Sequence, residues 1–317
     1  MRKKHVKKRS VQFPYDNIIF EGGGVHGLAY FACLQHLDDV GVYKTIKRWG
    51  GSSVGTFVAA CASCHISPQL LLSDSVTLRT ETFMGNRRGL TAIYNVLCHW
   101  GAYDLSARFR PWLHSFFERH IGVPTLTFGE ITRRFGTDLH ITVLDITTMK
   151  PLVLSSCTTP AVDMVDAIIA AMSVAIMFRP QRIPSLGDGL YIDAGFNDNM
   201  PLYTFDATDH GGDGAYNSRT LGIRSIQDTS VYFADQIHYT VPPPQTFVDY
   251  LSHMFSLIIE SGQQRYAQPR DAARTYFMVI PHAINSLDFN VSDRDRETMR
   301  LIGYEGLKTF LRVKNED

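Results

Sequence analysis

Trp49-Gly50-Gly51-Ser52-Ser53-Val54-Gly55 is the stretch from which the rest of the chain can be read. Thr45 to Trp49 upstream suits a short strand, and Thr56-Phe57-Val58-Ala59-Ala60-Cys61-Ala62 downstream suits a helix. Between them Gly51-Ser52-Ser53-Val54-Gly55 fits G-x-S-x-G, the sharp strand-to-helix turn that holds a serine exposed on a strained backbone. Glycines belong there because strand and helix approach too closely for a Cβ. A five-residue pattern is weak alone, so its surroundings decide.

Upstream, Asn17-Ile18-Ile19-Phe20 reads as a buried strand meeting Glu21-Gly22-Gly23-Gly24, with a helix from about His26 to Val40. Gly22-x-Gly24-x-x-Gly27 matches a dinucleotide fingerprint, which also wants an acid at the end of the second strand. That strand ends in Arg48-Trp49-Gly50-Gly51 instead. The other reading is an oxyanion cradle, in which successive glycine amides and a helix N-terminus converge on one point. Acyl transfer needs such a cradle beside a nucleophile, and Ser53 supplies one.

Further along, Leu139–Leu144 and Pro151–Ser155 read as a strand hairpin and Val162–Met172 as a helix. Leu190–Asp193, Ser218–Ile223 and Tyr276–Ile280 read as strands, and Asp293–Leu311 as a closing helix. Phe247 to Ile259 carries an apolar stripe at helical spacing. Helices over 90–99 and 106–120, with Trp100, Tyr103 and Trp112 nearby, suggest a cap spanning 79–135; an ordinary pair of core helices is the plainer alternative. Strands alternating with helices indicate an α/β fold with a mostly parallel sheet covered on both faces.

A serine nucleophile needs a base. His210, His238, His253 and His282 follow it, but none sits in a segment resembling a catalytic loop. Asp193 is the better candidate, because it ends a short apolar strand and precedes Ala194-Gly195. An aspartate there also suits a turn or cap, and Asp188 and Asp198 lie close by.

The 317 residues carry 31 basic and 31 acidic side chains, with 44% hydrophobic and 20% charged residues, an ordinary globular balance. Six of the basic residues fall within positions 1–10, so residues 1–14 read as a basic, disordered arm and 15–317 as one domain. The arm lacks the apolar segment of a secretory leader, and no run of 18 apolar residues marks a membrane span. Cys61-Ala62-Ser63-Cys64 has no second pair to complete a metal site and reads as buried, reduced thiols, and an odd count of five cysteines without a leader points to a reducing, cytoplasmic setting.

Taken together, the chain resembles the patatin-like phospholipases. Gly22 to Gly27 is similar to that family's glycine-rich oxyanion motif, Gly51–Gly55 to its G-x-S-x-G and Asp193-Ala194-Gly195 to its D-[GA]-[GA]. Asn199 and Pro201 also sit where the family usually has them, and agreement extends through Ala167–Pro180, Leu287-Asp288-Phe289 and Leu301-Ile302-Gly303. The resemblance implies a three-layer α/β/α fold related to α/β-hydrolases and a Ser53–Asp193 dyad. It further implies an oxyanion hole at Gly22, Gly23, Gly24 and Val25, supported by Gly27, Gly51, Gly55 and Gly195. No metal or other cofactor is implied. The implied substrate is a phospholipid or another acyl lipid met during transient contact with a membrane surface; no nucleic acid is expected. A triacylglycerol lipase or acyltransferase would use the same residues, and a non-catalytic lipid-binding scaffold is the alternative outside enzymes. Three positions depart from the family: His26 stands where Arg or Lys is usual, and Ala171 and Ala175 where Ser and Pro are frequent.

Overall fold

The computed structural model describes residues 13–75, 90–207, 210, 212–214, 216–227, 231–233, 236–238, 243, 269–281, 283–284, 286 and 290–314. Residues 1–12 of the expected arm, the 247–259 stripe, Leu287-Asp288-Phe289, His253 and His282 lie outside them.

The apolar run Asn17–Phe20 forms β1, completely buried, and Gly27–Asp39 forms α1. The expected strand at 45–49 shifts: Tyr43–Thr45 is a 3₁₀ turn, and β2 is Arg48–Gly51. Trp49 anchors β2 in the core, stacked on Phe20 at 6.2 Å. Helix α2 follows at Val54–Ser63 and α3 at Pro68–Ser75. Next come α4 (Leu90–His99), β3 (Gly101–Tyr103), α5 (Leu105–Ile121) and α6 (Phe128–Phe135). The hairpin is β4 (Asp138–Asp145) with β5 (Lys150–Leu154), antiparallel as expected. It leads to α7 (Met164–Ala171), β6 (Ile176–Phe178) and β7 (Tyr191–Asp193). The chain ends with β8 (Thr220–Gln227), β9 (Val231–Phe233), β10 (Gln236–His238), α8 (Pro269–Ala272), β11 (Thr275–Ile280) and α9 (Asp293–Val313).

The main sheet runs β11-β8-β1-β2-β4-β5, with β7 also against β4. Its first five strands pair in parallel, and β5 and β7 are the antiparallel additions. Helices cover both faces, which is why central strands such as β1 are apolar throughout rather than alternating. Phe109, Leu113, Phe116 and Phe117 of α5 are buried, and Phe57 of α2 meets the Phe116 ring at 5.3 Å. By contrast, α4 leaves several apolar side chains in solvent. Cys61 and Cys64 are buried free thiols inside or just after α2, and burial pushes Cys64 up to about 12.

Candidate active site

Strand register is what assembles the site. Along one edge of β4, Gly51 of β2 lies opposite Ile141, and β2 stops there. Two residues further along the same edge, Val143 lies opposite Asp193, where β7 arrives from the other direction and ends. The serine turn leaves the sheet where the aspartate enters it, so two strand ends meet across a single pleat of β4.

Ser53 occupies that turn as the N-cap of α2, with φ 50° and ψ −129°. A serine in the left-handed half of backbone space is unfavourable unless its surroundings impose it. They do so here: a Cβ on Gly51 would overlap the Gly55 backbone, and one on Gly55 would overlap the Phe20 and Glu21 carbonyls, so the two glycines let α2 start against β2 and the end of β1.

Asp193 is buried. Its Oδ1 accepts from the Gly195 amide at 2.7 Å, while Oδ2 has no hydrogen-bond partner among the described residues. Burial raises the carboxyl from 3.8 to about 6; the Ser53 hydroxyl and the Gly195 amide pull in the opposite direction. Ser53 is therefore close enough to stabilise the carboxylate without completing a bond of good geometry to Oδ2. Asp188, by contrast, is fully exposed at the surface, and buried Asp198 accepts from the Tyr203 hydroxyl. His210 packs against His140 and Phe205.

The glycine turn follows β1, beside β2. Its base is fixed by Glu21, buried and ion-paired with Arg224, and accepting from the Ser225 amide. Asn199 holds the turn by a reciprocal pair: the Gly22 amide donates to its carbonyl at 3.1 Å, and its Nδ2 donates to the Gly22 carbonyl at 3.0 Å. Gly22 packs so tightly against Asn199 Oδ1 and Ser53 Cβ that a side chain there would displace both. Gly24 has φ +53°, and the Val25 amide donates to the Ser286 carbonyl at 2.8 Å. Of the four amides expected to form the cradle, Gly22 and Val25 are thus engaged elsewhere. Gly23 and Gly24 carry no partner among the described residues. Gly27 opens α1 against the Val54 side chain.

His26, the departure from the family pattern, is buried, which lowers its proton affinity. Its Nε2 lies 3.0 Å from the Ile284 carbonyl, which can only accept, so Nε2 carries the proton. Nδ1 then accepts from the Ser225 hydroxyl at 3.2 Å. With Val25 and Ser286, this forms a second latch on the turn. The sequence reading missed both that latch and the Asn199 pair, because their partners stand 258 and 177 residues apart.

Among the described residues, no group of three or more His, Cys, Asp or Glu side chains could hold a metal ion. No helix among them is long and apolar enough to cross a membrane.

The patatin-like phospholipase family model matches residues 18–206, more than half of the chain's 317. The chain belongs to the patatin-like phospholipase family. VipD from Legionella pneumophila is similar in structure, with a TM-score of 0.58 at 12% identity over 95% of this chain and 67% of that one. ExoU in its heterodimeric complex with SpcU, from the type III secretion system of Pseudomonas aeruginosa, gives 0.50 at 14% identity over 96% and 52%. The chain therefore spans about two-thirds of the length of one and about half of the other. At these identities the likeness extends to the fold. No curated protein matches the sequence significantly. Family membership makes this patatin relative a lipid hydrolase at the level of class.

Proposed function

We propose that the chain hydrolyses fatty-acyl esters of phospholipids or lysophospholipids through a Ser53–Asp193 dyad. One observation carries the reading. A strained serine and a buried aspartate meet at opposed strand ends, where one aspartate oxygen and the Gly23 and Gly24 amides have no hydrogen-bond partner among the described residues. Ser53 Oγ attacks the ester carbonyl as Asp193 Oδ2 takes its proton, and the Gly23 and Gly24 amides hold the oxyanion. Asp193 returns that proton to the departing lysolipid alcohol, leaving the acyl group on Ser53. Water then attacks the acyl-enzyme as Asp193 accepts its proton, and Asp193 passes that proton to Ser53 Oγ as the acyl bond breaks and fatty acid leaves, restoring both residues. A proton affinity near 6 suits both halves, since the carboxyl is mostly ionised at neutral pH yet basic enough to draw a proton.

Lipid-product profiling by mass spectrometry on mixed phospholipids and triacylglycerol tests the proposal. Wild type is expected to release fatty acid and lysolipid, with Ser53→Ala and Asp193→Asn both inactive. Undiminished release by Asp193→Asn would remove the dyad, and release from triacylglycerol alone would remove the substrate class.

A further inference from the structure

The outer face of α4 has no use in the site just described. Ile93 and Leu97 stand four apart on one side of the helix with Tyr94 beside them, and Trp100 follows the last helical residue. All four are exposed, Leu97 at 74% and Trp100 at 63%. Ile176 adjoins them, because β3 pairs in parallel with β6 and Gly101 lies opposite Ile176. It too is exposed.

Two of these residues are held in an unfavourable backbone. Trp100 has φ 62° and Ile176 φ 68°, and for a β-branched residue that conformation is an outlier. Strain that turns two large apolar side chains outward opposes burial, and strain of this kind clusters at functional sites. Beneath the patch the supports are polar: buried Asn95 and half-buried Arg179. Asn95 Nδ2 donates to the Ala102 carbonyl at 3.0 Å, its Oδ1 accepts from Arg179, and the Arg179 amide donates to the Tyr103 carbonyl at 3.0 Å. The helix is therefore fixed to β3 and β6 while its apolar face stays open.

The patch is also close to the base. The Asp193 amide donates to the Ser173 carbonyl at 3.0 Å, and Ile176 follows Ser173 by three residues, at most about 11 Å of chain. Charge selects the occupant. Between Glu81 and Asp104 there is no acidic residue, and Arg87 and Arg88 are the only fixed charges. An acid-free apolar face with a tryptophan and a tyrosine, introduced by arginines, matches a bilayer surface bearing anionic headgroups.

We propose that α4, with Trp100 and Ile176, is a docking surface that lays the enzyme on a phospholipid bilayer next to its catalytic aspartate. The proposal deepens the phospholipase reading and rests on it for the substrate. Binding is nevertheless measured apart from catalysis, in the Ser53→Ala protein. The probes are phosphatidylcholine vesicles with and without phosphatidylserine, and the readout is co-flotation of the full chain. Ile93→Asp/Leu97→Asp replaces exposed residues only, and Trp100→Asn keeps a residue that tolerates the left-handed backbone. Each is expected to weaken vesicle binding about tenfold or more, the effect of losing one or two inserted apolar side chains, with binding stronger on phosphatidylserine vesicles. In the active protein the same changes lower turnover of vesicle lipid relative to turnover of a soluble ester. Equal flotation of variants and parent overturns the proposal. So does conversion of a wild-type dimer to monomer by the double variant without loss of flotation, which makes the face a contact between copies. If vesicle binding falls as expected while wild type hydrolyses no ester, the docking surface stands and the phospholipase reading falls.

Discussion

Replacing Asp193 by Asn should inactivate the enzyme and stabilise the fold. Burial raises the Asp193 carboxyl from 3.8 to about 6, so keeping it ionised in the folded chain at neutral pH is unfavourable. Two pH units at 1.36 kcal/mol each put that penalty at about 3 kcal/mol. Asparagine has the same shape and no charge. Its Oδ1 still accepts from Gly195, as Asp193 does at 2.7 Å, and its Nδ2 takes the place of the unpartnered Oδ2, facing Ser53. The sign follows from proton counts. Between pH 3.8 and 6 the folded wild type holds a proton that the unfolded chain has released, so its stability falls as pH rises through that window. The variant has no such term. Its advantage should be about 3 kcal/mol at pH 7, about 1.6 at pH 5 and about 0.6 at pH 4. Urea unfolding of both proteins at these pH values measures it, and comparison at equal pH cancels His26 and every other shared titration. Ester hydrolysis should fall about 10²- to 10⁴-fold in the same preparation. A variant no more stable than wild type at pH 7 would refute the reasoning, as would an advantage undiminished at pH 4. Either result would mean that burial does not oppose the charge, leaving the base without its raised proton affinity.

Ser53→Ala and Ser53→Gly should both be inactive, yet the glycine variant should be the more stable by about 1 kcal/mol, because only glycine relaxes at φ 50°. Equal urea midpoints would show the turn to be unstrained. Gly22→Ala should reduce kcat at least about tenfold with little loss of secondary structure by circular dichroism, since the added methyl pushes on Asn199 and Ser53 Cβ together. His26→Ala removes the bond to the Ile284 carbonyl and should lower kcat on a soluble ester up to about 10²-fold, with KM nearly unchanged. An unchanged kcat would separate the latch from the cradle. In wild type and in the active variants that keep both Ser53 and Asp193, hydrolysis of a soluble ester should fall as pH drops through about 6, where the base becomes protonated.

The residue types at the centre of the site were legible, because glycines, the turn serine and the strand-ending aspartate each announce a local backbone demand. Helix and strand order followed from the same punctuation and from apolar runs. The short parallel pair of β3 and β6 was not legible: each strand has three residues, and Ile176 sits in a conformation its side chain disfavours. Helix α6 could have been found. Thr127 accepts from the Glu130 amide while the Glu130 side chain accepts from the Thr127 amide, and Thr-x-x-Glu before an apolar residue signals that reciprocal cap. The true limits of β2 eluded the sequence because a 3₁₀ turn at Tyr43–Thr45 uses residues that a strand would also accept.

What the sequence could not reveal divides along a physical line. The distance between Ser53 and Asp193 is set by the pleat of β4, whose residues Ile141 and Val143 fix where one strand stops and another ends. As an inner strand paired on both sides, β4 is stiff, and core packing around Trp49 and Phe57 holds the serine turn in its strained form. The cradle rests on something different. Its two unoccupied amides are aimed by Asn199 on one side and by Ile284 and Ser286 on the other, and the latter pair lies outside residues 18–206 that the family model matches. The proposed nucleophile and base thus belong to the sheet, whereas the proposed oxyanion donors are held by hydrogen bonds from loops. On the proposed mechanism, a change in those loops retunes transition-state stabilisation without moving the dyad, which makes the His26 position a place where this chain would depart from its family and still keep the chemistry.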